Sequence, residues 1–123
     1  MKKQKLDAAS VDEIVERFIG LCAEKDRELL RGDVPRVNEL FDDIEAIKQE
    51  LKSRPGDQRH ALISLYRHDN MQVRLEAATA TLAIAPEAAR RALEDLKASG
   101  WMPQAGEASH TFWTLERGIF KPT

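Results

Sequence analysis

The chain has a single cysteine, Cys22, among 123 residues. No internal disulfide can form, so stability has to come from packing. Long apolar runs are missing as well. No stretch approaches the ~20 residues that span a bilayer. The lysines at the start are not followed by the apolar core of a secretory signal. An excess of basic charge is also absent. Nineteen Lys and Arg stand against 21 Asp and Glu, for a net charge of −2. Non-specific nucleic-acid binding depends on Lys and Arg meeting phosphates, so this balance weighs against it. Strand signals are lacking, with no extended period-two run and no Asn-Gly between alternating segments. There is no glycine-rich phosphate loop, and "RPGD" (Arg54 to Asp57) reads as a turn. These absences leave one domain of ordinary size, helical and cytoplasmic. It spans residues 1–123, with loose ends over 1–9 and 121–123.

What is present is helical periodicity. "SVDE" places Ser10 and Glu13 as a capping box. Val11, Ile14, Val15, Phe18, Cys22 and Leu29 then recur at helical spacing, and Gly32 can end the run by taking positive φ. Asp33 caps a second helix with Pro35 in its first turn. The stripe of this helix is Val37, Leu40, Phe41, Ile44, Ile47 and Leu51. Asp57 is placed to cap a short third helix carrying Leu62, Leu65 and Tyr66. Asn70 caps a fourth, apolar on nearly all sides (Val73, Leu75, Ala77, Ala78, Ala80, Leu82, Ile84), the pattern of a central helix. Its alanines allow close approach by neighbours. Pro86 disfavours the α conformation at Ala85, so the fourth helix should stop near Ile84 and a fifth begin at once. Ala89, Leu93 and Leu96 face inward on the fifth. Ala105, Ala108, Phe112, Leu115 and Ile119 make a sixth stripe. Short joints predict antiparallel neighbours, hence three hairpins: first with second, third with fourth, fifth with sixth.

"LISLYRHDNMQVRLEAATATL" resembles a HEAT-type repeat, which implies an all-α, HEAT-like solenoid or αα-superhelix of about six helices. The resemblance gives Asp69 and Arg74 a structural, hydrogen-bonding role. With "NMQVRLEAATATLAIAPEAARRALEDL" and the tail "TFWTLERGIFKP", the chain from about Leu6 is also similar to a bacterial family known as domain of unknown function 2019. That family is small, helical and HEAT-like. It offers no catalytic residues to carry over.

The candidate sites are surfaces. Glu39, Asp42 and Asp43 are expected on one side of the second helix, opposite its stripe. Such a patch is a solvated face or a steering surface for a basic partner. Paired catalytic carboxylates would need a cleft and a raised pKa. Trp101, Phe112, Trp113 and Phe120 either cover the end of the core or anchor a partner, tryptophan being enriched in interface hot spots. Cys22 lies on an apolar stripe and reads as a buried structural thiol. His60 and His68 are eight residues apart, outside the spacing of a helical metal pair, and no metal or cofactor is expected. The reading is a non-catalytic protein-interaction module, with a protein partner or a second copy of the chain as occupant and an immunity-type antagonist as its sharper form. The alternative is a nucleic-acid-binding domain using Arg67, Arg74, Arg90 and Arg91. No membrane association is expected.

Overall fold

The computed structural model describes residues 3–123, with side chains from Leu6 onward. Met1 and Lys2, part of the expected loose end, lie outside the described residues. The fold is all-α. Five α-helices and two 3-10 helices follow one another, with no strand among the described residues. They fall into two compact units, one ending at Ala61 and the other beginning at Leu62.

The first unit opens with a 3-10 helix, Lys3–Ala8. Helix α1 (Val11–Arg31) and helix α2 (Val34–Ser53) follow and pack against each other. The capping box forms: Ser10 Oγ accepts from the Glu13 N–H at 3.1 Å, and the Ser10 N–H donates to Glu13 Oε1 at 2.7 Å. Those bonds from Ser10 hold the Glu13 carboxyl below its ordinary pKa. Gly32 ends α1 at φ 76°, a conformation open to glycine at little cost. Asp33 caps α2 through the Arg36 N–H at once, so the joint is minimal. Ile14, Phe18 and Cys22 are buried on α1, and Leu40, Ile44, Ile47 and Leu51 on α2.

Two residues expected in these stripes are outside them. Phe41 is 51% exposed, because it sits about 100° round the helix from Leu40. Lys25 Nζ lies 5.4 Å from its ring centroid. Leu29 is also exposed. It falls in the last turn of α1, beside the joint, where α2 has no buried residue before Leu40.

Residues 6–9 are not loose. Leu6 and Ala9 are buried. Arg54 Nη2 donates to Leu6 O at 2.8 Å and to Ala9 O at 2.7 Å, while its Nε binds Glu50 at 2.9 Å. One guanidinium thus ties the chain start to the end of α2.

Asp57 does not cap an α-helix. It has φ 53°, after Gly56 at 80°, whereas a capping residue is extended. Its carboxylate grips Arg59 through two bonds, at 2.9 and 2.6 Å. The segment after it, Gln58–Arg67, is a 3-10 helix rather than the expected third α-helix.

The second unit contains helix α3 (Met71–Ala80), helix α4 (Pro86–Ser99) and helix α5 (Gln104–Glu116). Asn70 Oδ1 caps α3 by accepting from the Gln72 and Val73 N–H groups. Seven of the ten residues of α3 are buried. The helix stops at Ala80, short of Ile84. Thr81 Oγ1 donates to Ala77 O and Ala78 O, and such back-bonding bends helices. The backbone bonds of Thr81, Leu82 and Ile84 tighten to i−3 there. The Tyr66 hydroxyl meets the same Thr81 oxygen. Ala85 leaves the α region (φ −143°, ψ 63°) and Pro86 starts α4.

Helix α4 packs against both α3 and α5, and α3 also touches α5. A three-helix cluster therefore replaces the separate third-with-fourth and fifth-with-sixth hairpins. Its core is Leu75, Ala78, Leu82, Ala89, Ala92, Leu93, Leu96 and Ala108, with Phe112, Leu115 and Phe120 packed on it. A buried polar chain crosses from α5 to α3. Gln104 Nε2 donates to Gln72 Oε1, and Gln72 Nε2 donates to Glu76 Oε2, both at 2.8 Å.

Two measurements check this account. Arg54→Ala should cost about 2 kcal/mol in urea denaturation, since bonds to a charged donor are each worth roughly 1.5–3 kcal/mol. Arg54→Lys should recover little of that, because an ammonium lacks the planar fork. Asp57 gives a pH signature. The Arg59 hydrogen bond holds its carboxyl below the ordinary value of 3.8. Its contribution is full above that value and is lost as pH falls through the depressed one. The stability gap between wild type and Asp57→Asn should therefore be constant at neutral pH and close below about pH 4.

Candidate functional site

Helix α5 has two unlike faces. Ala105, Ala108, Phe112 and Leu115 turn toward the core. Gly106, His110, Trp113 and Arg117 recur at steps of four, three and four, which keeps them within about 60° of arc on the other side. The His110 and Trp113 rings stack with centroids 5.9 Å apart and planes inclined by 14°. The Arg117 guanidinium lies over the Trp113 ring at 4.2 Å. Ser109, His110 and Trp113 line a shallow depression. Trp113 is 46% exposed although His110 and Arg117 both contact its ring.

The stripe continues beyond the helix start. A Cβ on Gly106 would lie 2.9 Å from Met102 Cε, so the Met102 side chain drapes over this glycine. Met102 and Trp101 are both exposed.

The end of α5 explains a displaced residue. Gly118 takes φ 68°. The Gly118 N–H donates to Leu115 O at 3.2 Å and the Ile119 N–H to Thr114 O at 3.0 Å. This is a Schellman motif. It turns the chain so that Phe120 packs back on the core while Ile119 is left 64% exposed. The expected inward role of Ile119 assumed a helix that continued past Glu116.

A family described as a domain of unknown function (DUF2019) matches residues 12–116. The chain belongs to this family. The DUF2019 chain is also similar to the protein RPA1889 from Rhodopseudomonas palustris CGA009. That crystal structure matches with a TM-score of 0.89 and 46% identity, over 93% of this chain and 94% of the other. No curated protein matches it.

The sequence-predicted candidates separate cleanly in this DUF2019 chain. Of the four aromatics, Phe112 and Phe120 pack on the core, with Lys97 Nζ 5.9 Å from the Phe112 ring centroid. Trp101 and Trp113 are exposed. The acidic trio does not share one face. Asp43 is only 7% exposed, because it lies about 40° from Ile47 on the helix, beside the stripe rather than opposite it. Glu39 is paired with Arg36, which also binds Glu24. Glu45 is paired with Lys48. Asp42 alone of the trio is exposed with no ion pair among the described residues.

Arg74 Nε donates to His68 O, clasping the turn before α3. Asp69 is exposed, and it is Asn70 that caps the helix. His68 Nδ1 accepts from the Asn70 N–H at 3.0 Å, and His60 Nδ1 sits 3.1 Å from Asp57 O. Arg67, Arg90 and Arg91 are exposed, but the second unit carries seven basic and seven acidic residues. Among the described residues, no three His, Cys, Asp or Glu side chains could hold a metal ion, and no helix is long and apolar enough to cross a membrane.

Sequence reasoning missed His110 and Arg117. The signal was available: a His-Trp-Arg series at i, i+3 and i+7, on the side opposite the alanine stripe.

Gly106 tests the stripe's geometry. The contact in the way is the mobile end of Met102, so Gly106→Ala should fold and gain up to about 0.5 kcal/mol from helix propensity. The Met102 methyl resonance should shift while backbone resonances elsewhere hold still.

Proposed function

We propose that this chain is a non-catalytic interaction module that engages a protein through the outer stripe of α5. The observation carrying this reading is Trp113, an indole about half exposed yet contacted by both the His110 ring and the Arg117 guanidinium. Interface hot spots are enriched in tryptophan and arginine. A ring already held in place loses little conformational freedom when a partner covers it. The α1–α2 joint also exposes apolar residues, Leu30 and Val34. Those are aliphatic, with no stacked neighbour to fix them, and rank second.

The HEAT-type repeat over residues 62–82 is supported by the Asn70 cap and the Arg74 clasp on the turn. An immunity-type antagonist fits the size of the chain, and a toxin-domain gene directly upstream would support it.

The test compares capture by wild type, Trp113→Ala and Leu30→Ser from the native host. A bound protein should be retained by Leu30→Ser and weakened at least about 30-fold by Trp113→Ala, the size of a 2 kcal/mol hot spot. Equal capture by wild type and Trp113→Ala would overturn the assignment to α5.

A further inference from the structure

We infer that the segment received by α5 is acidic at one end and apolar at the other, with a carboxylate on Arg117 and an apolar side chain on Trp113. This rests on the reading above and narrows it to a partner chemistry.

Several guanidinium groups of the first unit are held by carboxylates. Arg36 is taken up by Glu24 and Glu39, Arg54 by Glu50 and two carbonyls, and Arg59 by Asp57. Arg117 differs. It is exposed, and it has no carboxylate partner among the described residues. Among the described residues its guanidinium makes one hydrogen bond, from Nη1 to Trp113 O, long at 3.5 Å.

Its guanidinium carbon nevertheless lies over the Trp113 ring, 4.2 Å from the centroid. A guanidinium bound through its face keeps its in-plane N–H donors available, and those match the two oxygens of a carboxylate. A second cation is close by. A Cβ on Gly118 would lie 3.9 Å from Lys121 Cε, so Lys121 folds back beside the same end of the helix. The two carboxylates of α5 itself, Glu107 and Glu116, lie off the stripe, about 60° or more of arc from its nearest member.

The opposite end of the stripe has no charge. It consists of Met102 over Gly106, with the depression formed by Ser109, His110 and Trp113 between the two ends. The surface is therefore polar in one direction: cationic at Arg117 and Lys121, aromatic at the centre, thioether at the start. A peptide with a complementary gradient satisfies all three. A nucleic acid would bring many phosphates to two cations in a unit whose other charged residues, five basic and seven acidic, are net negative.

The experiment is a selection of random 12-residue displayed peptides on the immobilised full chain. Enriched peptides are then measured by fluorescence anisotropy against wild type, Trp113→Ala, Arg117→Gln and Arg117→Lys. Enriched sequences should place Asp or Glu near an aliphatic or aromatic residue. Arg117→Gln should weaken them about tenfold or more, Arg117→Lys should recover only part, and binding should fall with added salt. Circular dichroism melts of the Arg117 variants should match wild type. Peptides that need Trp113 but show no acidic bias and ignore Arg117→Gln would overturn this inference and leave the α5 reading standing. No enrichment, or peptides indifferent to Trp113→Ala, would overturn both. A poly-dT oligonucleotide that displaces the peptides with equal affinity would overturn the choice of an acidic peptide.

Discussion

Close approach at alanine is the constraint on which the second half of this chain depends. Ala78 of α3, Ala89 and Ala92 of α4 and Ala108 of α5 belong to one buried cluster. A larger side chain at any of them would push a neighbouring helix outward, since packed cores absorb added methylenes badly. Leu75, Leu82, Leu93 and Leu96 fill the space between those contacts. The buried chain from Gln104 through Gln72 to Glu76 adds direction to the packing. Hydrogen bonds tolerate sliding less than apolar contacts do, so this chain fixes which turn of α5 meets which turn of α3.

That packing decides what α5 can present. With Ala105, Ala108, Phe112 and Leu115 committed inward, helical geometry sends Gly106, His110, Trp113 and Arg117 outward together. The Schellman motif at Gly118 then brings Phe120 back to the core. The helix is thus anchored at its C-terminal end as well as along its inner face. The His110, Trp113 and Arg117 series thus sits on a helix held along its inner face and at its C-terminal end. The first unit makes the contrary case. On its acidic helix Arg36 and Lys48 pair with Glu39 and Glu45, so part of its charge is met within the helix.

Much of the fold was legible because helix punctuation is local. Ser10 with Glu13, Gly32 with Asp33, Asn70 and Pro86 each act within one turn, and each bounds a helix as expected. The misses share one cause. Asp43 and Phe41 depend on which 60° of arc a neighbour covers. The stop at Ala80 depends on a threonine hydroxyl turning back to its own helix and meeting Tyr66 from another segment. The grip of Arg54 on Leu6 and Ala9 joins residues more than forty apart. Residues 58–67 are 3-10 and follow an Asp57 backbone in the left-handed region, features that no periodicity reports.

By itself the sequence determined the helical class, most helix starts, the absence of a disulfide, and membership in a family of small helical proteins. These follow from short-range hydrogen bonding and from composition. Tertiary structure alone decided which aromatics are core and which are surface, that the acidic trio is divided, and that His110, Trp113 and Arg117 form one stacked series. The reason is geometric: a side chain's chemistry is written in its own residue, but its exposure is set by whichever helix packs beside it.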